Sequence, residues 1–251
     1  MKFRLGWIAA GILIFLTFLI AYLPANQIVG RLTLPENVQM YGVSGTIWNG
    51  KAQQVLVQGI EVSNVSWDVQ PLHLLVGELA AHVRGGNLRQ ADTVAFEGPV
   101  SVNLFNTDKI EADGFLLFLP VDRVLSQVPL PLPVNAGGRF RVRLEELEYG
   151  PDCSRLIGTG DWLNATVAGT QGPIDFGSYS AKLRCEGNGI GVTVEEPNML
   201  GLSMDATVSA GFENFSVSGQ FKPDDSLPEE VHQAAQFFGK PNASGYIRFE
   251  L

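Results

Sequence analysis

Cysteine, histidine and positive charge are all scarce in this chain of 251 residues, and each scarcity excludes something. Two cysteines cannot build a disulfide-dense miniprotein or a four-cysteine zinc site. The three histidines, His73, His82 and His232, stand apart from one another with no metal-ligand spacing to Cys, Asp or Glu, so no metal site is expected. Charged residues make up only 17% of the chain, and seventeen cations face twenty-six acidic groups. Lys2 and Arg4 take two of those cations at the extreme N-terminus, which leaves the remainder strongly acidic. A body of that charge without a Lys/Arg stripe is not a nucleic-acid binder. Extended disorder is excluded by the 45% hydrophobic content, and the length suits one large or two small domains. Apolar runs of membrane-spanning length are also rare: there is one.

That run is Trp7–Leu23, seventeen residues without a charge, in which Thr17 is the most polar. As a helix it is roughly 26 Å long, enough for a bilayer core of about 30 Å if Leu5 and Gly6 contribute. The competing reading is a cleaved signal peptide, whose apolar stretch is shorter and ends in small residues at the cut. Here the exit reads Ala21-Tyr22-Leu23-Pro24-Ala25, with bulky Leu23 and Pro24 at the wrong places, so an uncleaved anchor over residues 5–23 is expected. Lys2 and Arg4 place the N-terminus in the cytoplasm and everything after residue 23 on the far side. Cys153 and Cys185 fit that side: in an oxidising compartment they would close a loop worth roughly 3–4 kcal/mol, and the alternative is two buried thiols. The Asn-x-Ser/Thr triplets at Asn64, Asn164, Asn214 and Asn242 are glycan acceptors only in a eukaryotic secreted chain, and chance accounts for them here.

From Gly45 onward the dominant hydrophobic period is two, with turn signals about every 8–12 residues. Strands are predicted over Ala80–Arg84, Val94–Phe105, Phe115–Leu119, Arg139–Leu147, Ser178–Cys185, Ile190–Val194, Leu202–Ala210, Phe215–Phe221 and Tyr246–Leu251. The short links between them permit only antiparallel pairing. Three short helices are predicted, at Asn26–Leu32, Pro120–Val128 and Pro228–Phe238, the last with a capping box between Ser226 and Glu229. Leu23-Pro24, Leu119-Pro120 and Leu227-Pro228 each open such a helix, followed by Gly45–Trp48, Gly138–Arg141 and Gly245–Arg248 as Gly-initiated strands. Trp67 matches Trp162, and Val76–Leu79 matches Phe176–Tyr179. The expected architecture is mainly β: a tail and anchor (1–23), two similar helix-plus-meander units (24–118 and 119–226), then a closing helix and strand (227–251). The two units would hide their edges by packing as a sandwich or open barrel.

Catalytic chemistry is hard to assemble from this sequence. Gly42-Val43-Ser44-Gly45 is one residue short of a nucleophile elbow and no helix follows it. Gly187-Asn188-Gly189 sits between two strand patterns and reads as a hairpin turn rather than a phosphate cradle. No catalytic residue, cofactor or metal ligand is assigned, and a periplasmic enzyme has no support. Trp48, Trp67 and Trp162 are the residues of interest, each beside Gly or a small polar residue within a repeated element. They either fill the space a glycine leaves in a core or line a groove for an extended peptide or acyl chain.

One anchor, an acidic β body, the stretch Val43–Ala52 with its Gly-x-x-Trp-x-Gly signature, and Val65–Pro71 with Trp-x-x-x-Pro together resemble the type II secretion system protein N (general secretion pathway protein N) family. The resemblance continues through Leu74–Leu79, Gly158–Trp162, Leu227-Pro228, Gly239 and Gly245, and so covers nearly the whole chain. It implies a single-pass protein of the bacterial inner membrane with a periplasmic body. It also implies an accessory component without catalytic residues and little of its mechanism; the expected role is a periplasmic scaffold whose exposed strand edges or inter-unit grooves dock other secretion-system subunits. No binding residue carries over, and the Cys153/Cys185 pair has no assigned family role. The alternative is a membrane-tethered β-groove protein that binds lipid or acyl chains.

Overall fold

Leu, Ile, Ala and Phe from Trp7 onward favour a continuous helix, and it forms as α1 (Lys2–Ala21) before Pro24 forbids its continuation. A computed structural model describes residues 2–31, 38–57, 59–125, 135–209 and 214–250, and for residues 2–5 and 9 the backbone alone. Counted on those described residues, no helix is long and apolar enough to cross a membrane. Pro24 begins a second, one-turn helix, α2 (Ala25–Val29), and Leu32 at its expected end lies outside the described residues.

The strands that follow are β1 (Val38–Tyr41), β2 (Ser44–Gly45), β3 (Asn49–Val57), β4 (Ile60–Gln70), β5 (Glu78–Gly85), β6 (Ala95–Asn103) and β7 (Asn106–Pro120). They continue as β8 (Ala136–Tyr149), β9 (Cys153–Gly169), β10 (Gly172–Glu186), β11 (Gly189–Val194), β12 (Ser203–Val208), β13 (Phe215–Phe221) and β14 (Ile247–Glu250). All fourteen belong to one antiparallel sheet whose spatial order follows the chain, with β2 beside β1 on the same flank of β3. The sheet does not close: among the described residues β1 pairs with β3 alone and β14 with β13 alone. Of the two expected arrangements, sandwich or open barrel, the two-sheet sandwich is not what forms: among the described residues there is one open sheet, because every hairpin hands its ladder to the next strand and none switches sheets.

Register separates two faces. Phe140, Trp162 and Tyr179 stand opposite one another on β8, β9 and β10, as do their neighbours Arg141, Asp161 and Ser180. Alternation then puts Phe140, Val142, Leu144, Tyr179, Ala181 and Leu183 on one face and Arg141, Arg143, Ser180 and Lys182 on the other. The apolar face is covered at one end by the 195–202 connection and by α4 (Glu229–Ala235). There Ala165, Phe176, Tyr179, Val194 and Leu227 form a buried cluster with Met199, Leu202 and Val231 against it. A second cluster joins Phe221, Ala235 and Ile247. Burial pushes the Tyr179 phenol up to about 12.

Several local expectations are corrected. Gly45–Trp48 does not run on as a strand: Gly45 ends β2, and Thr46 N donates to Asn49 O (2.9 Å) and Asn49 N to Thr46 Oγ1 (3.0 Å), which makes 46–48 the tight turn between β2 and β3. The Ser226/Glu229 capping box does not form; Pro228 occupies the cap position, and Ser226 N instead donates to Asp224 Oδ1 at 2.9 Å. Pro120 ends β7, and α3 (Val121–Leu125) starts after it with Val121 fully buried. Val128, Pro129, Ala210 and Leu251 lie outside the described residues.

Candidate functional site

The tight turn between β2 and β3 brings Trp48 under the end of α1. Its indole Nε1 donates to the Ile20 carbonyl at 2.9 Å, across a sequence gap of 28 residues. Two further links bind the same point: Ile47 N donates to Leu23 O (3.1 Å), and Pro24 bridges to Thr46. The last turn of α1 would otherwise leave carbonyls without partners, so the sheet caps the helix and fixes its direction.

Trp67, on β4, lies directly opposite Gly50 on β3, and its ring covers that glycine so closely that a Cβ there would sit 2.4 Å from Cζ2. The Trp67 Nε1 donates to Ile47 O at 3.1 Å, so Trp48 and Trp67 serve the same junction. Trp162 is elsewhere. It packs between Phe140 and Tyr179, at centroid distances of 5.8 and 5.7 Å, and its Nε1 donates to Gly137 O at 2.9 Å. All three indoles thus end on a main-chain carbonyl, which holds each ring in one orientation. Cys153 and Cys185 are disulfide-bonded at a Cα–Cα distance of 5.6 Å, at the start of β9 and near the end of β10.

Beside Trp67 a cleft of about 510 Å³ opens on the polar face, lined by Asn49, Lys51, Ser66, Asp68, His82 and Arg84 among others. Several of its polar groups are already engaged. Asn49 Nδ2 donates to Asp68 Oδ2 at 3.0 Å, and Arg84 Nε sits 2.8 Å from Glu97 Oε1 with His82 Nε2 3.6 Å from the same oxygen. Among the described residues no group of three or more His, Cys, Asp or Glu is placed to hold a metal ion.

Past β4 the chain turns through a 3-10 segment, Pro71–Val76. His73 Nδ1 lies 3.0 Å from Glu78 Oε2, and hydrogen bonds from His73 and Ser101 hold the Glu78 carboxyl below its ordinary range. Leu72, Leu75 and Val76 are exposed there, and Leu104 and Phe105 are exposed on the neighbouring β6–β7 turn. The signal in the sequence was apolar residues in a position that periodicity marks as a turn.

Comparison with known proteins places the chain. A family model described as type II secretion system (T2SS), protein N, matches residues 36–250. The chain is 27% identical to type II secretion system protein N of Vibrio cholerae serotype O1, over 94% of this chain and 92% of the relative. It is 28% identical to the protein of that name from Aeromonas hydrophila, again over 94% and 92%. Identity to the Klebsiella pneumoniae protein is 23%, over 73% and 68%. No solved structure matches.

Proposed function

The chain belongs to the type II secretion system protein N family, and from that premise we propose that it acts as an anchored periplasmic scaffold or docking module in export of folded proteins across the outer membrane. The observation that carries the reading is the junction at Trp48, which joins a lone apolar helix rigidly to an open sheet. Helix α1 has twenty residues, about 30 Å at ~1.5 Å per residue, and the only charges in its sequence are Lys2 and Arg4 at one end. The large apolar side chains Trp7, Ile8, Ile12 to Leu16 and Phe18 to Ile20 are all exposed, and a bilayer is the medium that satisfies them. The positive end faces the cytoplasm and the sheet lies in the periplasm, an oxidising compartment that suits the Cys153–Cys185 bond.

Neighbouring subunits dock by adding a strand at β1 or β14, the two ends of the sheet. Two related units, 24–118 and 119–226, contribute to that sheet. Their likeness is supported by Trp67 and Trp162, each of which reaches a carbonyl just ahead of or within the preceding strand. Deleting the chain in a host that carries this secretion system strands exoproteins in the periplasm or destabilises a partner subunit; unchanged secretion and partner levels would reject the role. Photo-crosslinkers at Gln39 and Arg248 capture secretion-system subunits, whereas the same probe at Ser180, inside the sheet, does not.

A second reading rests on the half-buried apolar row Phe140, Val142, Leu144, Ala181 and Leu183, which no second sheet covers. In that reading the tethered sheet holds acyl chains, and lipid co-purifies with residues 26–251. Protein recovered free of lipid would remove it.

A further inference from the structure

The exposed apolar residues near the helix junction form one surface with it. Trp48 Nε1 reaches the Ile20 carbonyl, and Val69 N donates to Trp48 O at 2.6 Å, which sets the end of β4 against the helix exit. The chain passes from β4 directly into Pro71–Val76, and Leu104 N donates to Gly77 O at 2.8 Å, which ties the β6–β7 turn to the same place. Each of these steps is a single hydrogen bond or peptide link, so helix end, 3-10 segment and turn are contiguous. On this surface Leu72 is 76% exposed, Leu75 84%, Val76 74% and Phe105 88%. Tyr22, just past the end of α1, is 70% exposed and stacks on Phe18.

We propose that Pro71–Val76 and the β6–β7 turn are a foot that rests in the surface of the bilayer into which α1 inserts. The proposal rests on the anchor reading of α1. Large apolar side chains this exposed are costly in water, and a lipid interface beside a spanning helix is the apolar medium within reach. The composition agrees. Residues 71–76 contain no Asp, Glu, Lys or Arg, residues 103–106 read Asn-Leu-Phe-Asn, and His73, the one titratable group between them, is held by Glu78. An aromatic at the tip of a turn and another at the helix end sit where rings collect at membrane surfaces. The foot would fix how the sheet stands on the membrane: a single helix joined rigidly to the sheet can still tilt within the bilayer, and a second contact limits that tilt.

The test uses the full chain reconstituted in vesicles of phosphatidylethanolamine and phosphatidylglycerol. Leu75→Cys and Phe105→Cys variants, labelled with an environment-sensitive fluorophore with the native disulfide intact, are compared with Gln171→Cys. Gln171 lies in the β9–β10 turn, which register places at the opposite end of the sheet. The expected result is a blue shift and quenching by lipid-borne nitroxide at 75 and 105, and neither at 171. If the protein floats with the vesicles while 75 and 105 stay as aqueous as 171, the foot is overturned and the anchor stands. If the protein does not float at all, both fall. A photo-crosslinker at Phe105 is expected to give a lipid adduct in cells; a protein adduct there overturns the lipid assignment.

Discussion

Asp161 uses both carboxylate oxygens across two strand boundaries. Oδ2 accepts from Arg141 Nε (3.0 Å) and Nη2 (2.8 Å), and Oδ1 accepts from Ser180 Oγ (2.8 Å). Burial pushes this carboxyl's pKa up, but the hydrogen bonds from Arg141 and Ser180 and the Arg141 charge outweigh burial and hold it below the ordinary carboxylate range. A folded-state pKa below the unfolded one means that the contribution is full above the unfolded value and fades as pH falls through the folded one. Asp161→Ala leaves Arg141 without its partner and should lower stability by about 1–2 kcal/mol at neutral pH. Urea titrations should show that difference shrinking as pH drops toward roughly 3. An equal difference at both pH values would mean that the row does not act through charge.

At the scale of elements, the contact of β3 with β4 is set by Trp67 over Gly50. Gly50→Ala puts a methyl group 2.4 Å from Cζ2 and 2.8 Å from the Thr46 carbonyl, so the ring or the turn must move. A loss of about 1–3 kcal/mol follows, with a change in tryptophan emission as the readout; wild-type stability and spectrum would refute the packing. In the β9–β10 hairpin the ladder stops at Ile157 and Arg184, and the disulfide clamps the open end beyond it. Replacing both cysteines by Ser should cost on the order of 3 kcal/mol, read as a lower melting temperature with the β signal of the folded state retained.

Elements with unbroken alternation were legible in the sequence. β5, β11 and β13 fall within two or three residues of their predicted limits, and α4 follows its Pro-to-Gly punctuation. The long strands were read short or missed, because register shifts in β8 and β9 between Leu144 and Glu146 and between Gly137 and Arg139 reset the period of two. Asn64 and Asn164, at φ 53° and 52°, likewise sit where alternation lapses in β4 and β9. The tryptophans were legible as sites of interest through their glycine neighbours. The tie from Trp48 to α1 was not, because a bond from an indole to a distant main-chain carbonyl leaves no pattern in the residues themselves.

Among the described residues the molecule is a row of strands in which each is hydrogen-bonded only to its neighbours, so protection should grade along the row rather than be shared evenly. β8, β9 and β10, of fourteen, seventeen and fifteen residues, are long neighbours with a disulfide and a buried cluster against them. Their amides should exchange slowest, and those of β1, β2 and β14, with two to four residues each, fastest. Uniform protection from end to end would contradict this and point to an all-or-none unit.

Spatial order that repeats chain order has one more consequence. A polypeptide delivered N-terminus first through a narrow conduit needs no waiting: as each hairpin emerges, the surface that will template it is already in place. Assembly can therefore keep step with delivery, and the last residues out have only to lie down beside the ones just before them.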